Sequence, residues 1–203
     1  MSKLFPSLYD LTMQPLEKRK FQKIRSGMLT MASGRVLEIG AGTGINFPLY
    51  KNADRVDAVE PNQAMIEKSL SRKNEAAVPI QIHQQSAESL KFMENTFDSA
   101  VATLVFCTIP NPEKALAEIR RVCKPQAKIL FFEHVKMEQP ALAFAQEALN
   151  PIWKRICDGC HLNRNTLQAI QDSGIKITNV TAYYKGLFLV TECENPDSSA
   201  LFC

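Results

Sequence analysis

Apolar residues in this chain come in short runs broken by polar and glycine-bearing stretches, and the spacing within each run assigns it. Residues 35–39 form a β-branched run that meets a glycine cluster, which predicts a strand ending in a turn. Residues 56–59 predict a second strand, 80–83 a short third, 97–104 a fourth and 128–132 a fifth. Residues 175–183 and 186–193 predict two more, joined by a tight turn at Tyr184-Lys185-Gly186. Between them the period changes to that of a helix. Residues 14–32 place Leu16, Ile24, Met28 and Leu29 near helical spacing with charges between. Asn62 stands before strong helix formers and predicts an N-cap for a helix to about residue 73. Residues 112–123 carry Ala115, Leu116, Ile119 and Val122 on one face. Residues 140–156 predict a helix interrupted or restarted at Pro151, and Asn163 or Asn165 caps a last helix that stops at Gly174.

Strands alternating with helices imply a parallel sheet covered on both faces, so the fold class is α/β. The closing pair cannot be parallel, because a tight turn connects only antiparallel neighbours. The expectation is one domain over residues 1–193, with a helical N-terminal lid over 1–33. Residues 194–203 are polar and are expected to be a disordered tail.

The glycine cluster carries the first chemical signal. Residues 36–44 read Val-Leu-Glu-Ile-Gly-Ala-Gly-Thr-Gly, and Glu60 closes the next strand twenty positions after Gly40. Glycines let backbone approach a ligand closely, and a carboxylate at the next strand end accepts ribose hydroxyls, so the pattern points to a nucleoside site. A dinucleotide fingerprint wants its third glycine where this chain has Ile45. That disfavours an NAD(P)-dependent oxidoreductase. The bland alternative is a strand-to-helix turn with no ligand.

Composition narrows the partners. Of 203 residues, 45% are apolar and 22% charged, which fits one globular domain. The net charge of +3 comes without a dense basic stripe, so no nucleic-acid partner is expected. No signal-peptide pattern opens the chain, and no apolar run reaches the roughly 18 residues of a transmembrane helix. A soluble cytoplasmic protein is the default. Six cysteines at 107, 123, 157, 160, 193 and 203 form no regular framework and are expected as free thiols. Nothing in the pattern signals a particular oligomeric state.

The Glu-x-Gly-x-Gly-x-Gly pattern resembles the first motif of class I S-adenosylmethionine-dependent methyltransferases. Further matches run downstream. Glu60-Pro61-Asn62 closes strand two, Ser86-Ala87-Glu88 stands where relatives carry Asp-Ala-Glu, and Phe97-Asp98-Ser99-Ala100 resembles the fourth motif. Lys124-Pro125-Gln126-Ala127 takes the place of a Lys-Pro-Gly-Gly turn, with both glycines missing. Tyr9-Asp10, Asn46-Phe47, residues 103–107, Glu133-His134 and Asp158-Gly159-Cys160 look like a branch of small methyltransferases acting on thiols, phospholipid amines or quinone precursors.

This resemblance implies a Rossmann-like, seven-stranded, mostly parallel sheet with helices on both faces and a C-terminal antiparallel strand. It implies S-adenosylmethionine as cofactor, S-adenosylhomocysteine as product, and a small-molecule or lipid-like acceptor. Gly40, Ala41, Gly42 and Gly44 would give the cofactor backbone access, and Glu60 would hold the ribose with Pro61 beside it. Glu38 would support the loop or the methionine amine. Asn46 and Leu104 complete that end, while Met65, Ser86, Ala87 and Glu88 border the adenine. Tyr9 would close over the cofactor. His134, at the end of strand five, is the candidate base, against the alternative of a strand-end histidine bonded to backbone. Phe106, Cys107, Glu133 and Trp153 are the acceptor-side candidates. Their plain reading is structural, with Phe106, Phe144 and Trp153 as core and Cys107 and His83 as packing residues. A cofactor-binding regulator without catalysis is the rival function.

Cys157-Asp158-Gly159-Cys160-His161 also fits the haem-attachment pattern C-x-x-C-H. Haem attachment needs export, and a zinc site wants four ligands where no second cysteine pair exists at metal spacing. No metal is expected. The segment reads as a stretch near the substrate cavity whose motif spacing is coincidental, with a redox-sensitive dithiol as the alternative.

Overall fold

A strand buried on both faces must be apolar nearly throughout, and residues 36–39, 56–59 and 100–102 meet that demand. In the computed structural model, which describes residues 20–157 and 159–197, they form the centre of one seven-stranded sheet. The strands are β1 (Gly34–Ile39), β2 (Ala53–Val59), β3 (Ile80–His83), β4 (Phe97–Thr103), β5 (Cys123–His134), β6 (Lys176–Tyr183) and β7 (Phe188–Glu194). The helices are α1 (Gln22–Leu29), α2 (Gln63–Asn74), α3 (Pro112–Val122), α4 (Pro140–Ile156) and α5 (Thr166–Asp172). Strand order is β3-β2-β1-β4-β5-β7-β6, with β7 antiparallel to both neighbours and the other pairings parallel. The sequence-based expectation of fold class holds.

Alternation along β1 divides the core. Leu37 and Ile39 face a cluster built with Leu116, Ile119 and Val122 of α3 and Ile170 of α5. Val36 faces the other cluster, with Met28 and Leu29 of α1, Val56, Leu130 and Phe132. Phe21 packs edge-on against Phe132 at 5.4 Å and Phe188 at 4.8 Å. Residues 20–33 are therefore built into the body, while the rest of the expected lid, Tyr9 included, lies outside the described residues.

Asn62 caps α2 by accepting from the Ala64 N–H at 3.0 Å, and Asn111 caps α3 through the Lys114 N–H. Asn165, and not Asn163, caps α5. α4 runs unbroken through Pro151, correcting the expected interruption. Pro151 is exposed, so the carbonyl it leaves without a donor faces water. Phe144 and Trp153 also face out of α4, at 73% and 41% exposure, correcting their reading as core. Asn195 is buried and donates to the carbonyls of Arg120, Cys123 and Lys124, so the ordered chain extends past the expected start of the tail. His83 is structural, as expected: its ring meets Asp57 Oδ1 at 2.7 Å. Burial alone would raise the Asp57 pKa, but Arg35, His83 and Arg55 hold it below the ordinary carboxylate value.

Among the described residues no helix is long and apolar enough to cross a membrane. Strand order reverses between β1 and β4, and open α/β sheets bind ligands at such a switch point, beyond the strands' carboxyl ends.

Candidate active site

Two groups of residues meet at that edge. The first begins where β1 stops. The Gly40 and Ala41 N–H groups donate to the Val59 carbonyl at 2.9 and 3.0 Å, bending the loop over the end of β2. The three glycines do different work. A Cβ on Gly40 would stand 2.1 Å from Val105 Cγ2, and one on Gly44 would stand 2.7 Å from the Phe47 ring. A Cβ on Gly42 would meet nothing nearer than the Gly40 carbonyl oxygen at 4.0 Å. Of the glycines expected to give backbone access, only Gly42 faces open space, while Gly40 and Gly44 are demanded by packing. All three have a positive φ.

Glu60 fastens this loop. Its Oε2 accepts from the Gly42 N–H at 2.9 Å and its Oε1 from the Asn62 N–H at 2.9 Å. Burial raises its pKa and these two donors oppose the rise. A carboxylate has about four lone-pair sites, so two remain for hydroxyl donors. Pro61 is exposed and Met65 half-buried in the first turn of α2. Ser86 and Glu88 bond each other: the Ser86 hydroxyl donates to Glu88 Oε2 at 3.1 Å and accepts from the Glu88 N–H. Glu88 Oε1 also accepts from the Asn111 N–H at 2.9 Å, and Ala87 is buried.

Glu38 and Asn46 lie beneath the loop. Glu38 accepts from Asn46 Nδ2 at 2.8 Å and from the Tyr50 hydroxyl at 3.0 Å. Arg25 Nη1 donates to Asn46 Oδ1 and to Thr103 Oγ1, tying α1 and the end of β4 into the same network. Burial pushes the Glu38 pKa up to about 7, against the pull of Asn46 and Tyr50. Of the two roles expected of Glu38, support of the loop is the one this geometry displays. Arg25, Tyr50 and Thr103 were not foreseen, because no local spacing links them.

The second group assembles beyond β4 and β5. Leu104 has φ 52° and donates its N–H to the Phe132 carbonyl at 2.7 Å, a left-handed conformation that costs about 1 kcal/mol or more in a non-glycine residue. Glu133 Oε1 receives the next two N–H groups, from Val105 at 3.0 Å and Phe106 at 3.1 Å. Its buried Oε2 has no partner among the described residues, and burial lifts its pKa to about 7. Arg164 holds the same crossing by donating to the carbonyls of Phe106 and Ile109. Phe106 is fully buried and edge-on to Phe131, so it belongs to the core and lines no acceptor space.

His134 Nε2 lies 3.3 Å from Cys160 Sγ, while its Nδ1 is buried without a partner among the described residues. Cys107 completes a triangle: the ligating atoms of Cys107, His134 and Cys160 all lie within 4.8 Å of one another. The Cys107 thiol bonds Cys160, and together with His134 and Trp153 it pulls the Cys160 pKa down to about 4. The same contact pushes Cys107 well above the ordinary thiol value. Burial would lower the His134 pKa, but the Cys160 sulfur raises it. The partner of Cys160 is thus Cys107 and not Cys157, which the C-x-x-C spacing suggested. Sequence reasoning missed this cluster because its members come from three separate segments.

Comparison with known proteins follows the same lines. Residues 37–131 match the family described as a methyltransferase domain. Thiol S-methyltransferase TMT1B of Homo sapiens is 33% identical over 167 residues, which cover 79% of this chain and 68% of that protein. Phosphatidylethanolamine N-methyltransferase of Cereibacter sphaeroides is 31% identical over 118 residues, 57% of this chain and 58% of that one. A solved SAM-dependent methyltransferase from Thermotoga maritima superposes with a TM-score of 0.69 over 95% of this chain and 97% of its own, at 20% identity. That last likeness concerns the fold alone.

Proposed function

The chain belongs to the S-adenosylmethionine-dependent methyltransferases, and from that premise we propose that its acceptor is a small thiol whose proton passes to His134. It is an enzyme and not a non-catalytic regulator, since its named relatives are transferases acting on thiols and a lipid. The observation that carries the thiol reading is the buried Nδ1 of His134, without a partner among the described residues, while the Cys160 sulfur holds its other nitrogen at the strand ends.

The residues present fit the cofactor. Gly42 offers backbone to open space where any side chain would intrude, and Glu60 keeps two lone-pair sites for ribose hydroxyls. Bound S-adenosylmethionine supplies a sulfonium-activated methyl group. The protein supplies orientation and the exclusion of water. Glu38, Asn46 and Tyr50 keep the loop from sagging, Met65 and residues 86–88 border the adenine, and Leu104 presents backbone at the methionine end. Glu133 fixes the 104–106 crossing by taking two of its N–H groups. His134 then takes the acceptor's proton, since a thiolate, and not a thiol, is the nucleophile. We place the reaction in the cytoplasm, a reducing compartment that keeps the five described cysteines as free thiols.

The test is S-adenosylhomocysteine formation from S-adenosylmethionine with small alkyl and aryl thiols, and in parallel with phosphatidylethanolamine vesicles. Turnover of thiols that falls in His134→Gln supports the reading. Turnover of the vesicles alone overturns it in favour of an amine acceptor.

A further inference from the structure

Cys107, His134 and Cys160 present two sulfurs and one imidazole nitrogen to a single point, from the loop after β4, the end of β5 and the segment after α4. We infer that this triangle is a binding site for one thiophilic divalent cation of the zinc class. A tetrahedral ion with sulfur at roughly 2.3 Å and nitrogen at roughly 2.0 Å holds its ligands roughly 3.5 to 4 Å apart. The three atoms already lie within 4.8 Å of one another, and His134 Nε2 sits 3.3 Å from Cys160 Sγ, so small side-chain rotations close the site.

Donor chemistry selects the ion. Two sulfurs and an imidazole favour zinc and its soft relatives over magnesium or calcium, which take oxygen. Burial does the same, since Cys107 is 3% exposed and Cys160 9%. With a divalent cation bound, two thiolates are balanced by its two positive charges, so no net charge is added to the buried pocket. Arg164 anchors the Cys107 loop through the Phe106 and Ile109 carbonyls, so the sulfur is positioned in advance. Three protein donors leave the fourth tetrahedral position to water or another small ligand.

The inference stands on this triangle and not on the thiol-acceptor reading. With Nε2 bound to a cation, the neutral ring keeps its proton on Nδ1 and has no lone pair left for an acceptor. A bound cation therefore withdraws His134 from proton transfer, so the filled site is an inhibited state and the empty one the active state.

The experiment titrates chelator-treated, reduced protein with cobalt(II), then displaces it with zinc(II) against a chromophoric chelator, with neither S-adenosylmethionine nor acceptor present. One cobalt per chain with a thiolate-to-cobalt charge-transfer band is expected. Cys160→Ser and Cys107→Ser lose the band, and His134→Gln weakens zinc binding beyond the roughly 100-fold that loss of a supporting contact costs. Cys157→Ser and Cys193→Ser keep the affinity. Near-ultraviolet circular dichroism verifies that each variant is folded, and His134→Gln, at a half-buried position, carries the test if a cysteine variant is not. A folded wild-type protein with no charge-transfer band overturns the site. So does a band that survives Cys107→Ser or disappears in Cys157→Ser, which would make it a C-x-x-C chelate. The base role of His134 fails separately, if cation-free wild type and His134→Gln turn over thiols alike.

Discussion

The glycine loop after β1 and the cysteine–histidine cluster beyond β4 and β5 share one edge of the sheet but are built in opposite ways. The loop is backbone, folded back on Val59 and fastened by Glu60, with the N–H groups of Gly40, Ala41, Gly42 and Gly44 paired. The cluster is side chains converging from three segments, and the Glu133–His134 pair at its edge keeps a carboxylate oxygen and a ring nitrogen without partners among the described residues. An unpaired buried polar atom costs about 1–3 kcal/mol, and on the proposed reading a ligand or a proton uses these two. By that same reading the backbone loop serves the constant cofactor, and the cluster keeps free valence for the acceptor's proton.

Substitutions can break this contrast. Gly42→Val should abolish measurable S-adenosylmethionine binding in calorimetry while costing only about 1–2 kcal/mol in fold stability, the price of a left-handed side-chain residue. Gly40→Val should unfold the protein instead, because its side chain would be driven into Val105. Equal thermal stability of the two variants would contradict the division of labour among the glycines. On the other half, His134→Gln should lower thiol turnover by about 10²–10⁴-fold with cofactor affinity unchanged, the usual worth of general-base catalysis. A parallel loss of cofactor affinity would merge the two halves.

Glu60→Ala should weaken cofactor binding by about 1.5–3 kcal/mol in calorimetry, the worth of hydrogen bonds to a charged group. Unchanged affinity would remove Glu60 from the site. Glu38 gives a pH signature. Its pKa is raised from 4.5 to about 7 in the fold, so its stabilising contribution is complete below pH 4.5 and is lost as pH rises through 7. Denaturant unfolding across that window should show a decline smaller in Glu38→Gln than in wild type, by on the order of 3 kcal/mol, since Glu133, also raised to about 7, contributes to both. Identical profiles would show that the buried network beneath the loop does not hold a proton. The smallest effect is expected at Gln126, where φ is 63° and relatives of the resembling family carry glycine. Gln126→Gly should raise stability by about 0.5–1 kcal/mol in the same assay. A loss would mean that the Gln126 side chain contributes packing.

The sequence announces the first half because its signals are local. A β-branched run, three alternate glycines and a carboxylate one strand later fix the loop and the sheet around it, and caps such as Asn62 and Asn111 mark their own helices. The fold class followed, including the antiparallel closing strand. What stayed hidden depends on tertiary meeting. Nothing near Glu38 tells that Tyr50 and Arg25 close over it, and the spacing of Cys157 and Cys160 points to the wrong partner for Cys160. Pro151 misled for the converse reason, since its local cost is borne where solvent satisfies the freed carbonyl.

The Asn195 side chain, clasping three carbonyls around the start of β5, has a consequence for how the molecule comes into being. β7 lies between β5 and β6, and Asn195 immediately follows it, so the middle of the sheet receives its outer half from the last residues of the described chain. On the ribosome, β1 to β4 can pair early, but β5 must wait with one open edge until residue 195 emerges. Such long-range closure is slow and leaves a bare strand edge exposed in the meantime. The nascent protein is exposed to misassociation for as long as that asparagine has yet to emerge and close the edge.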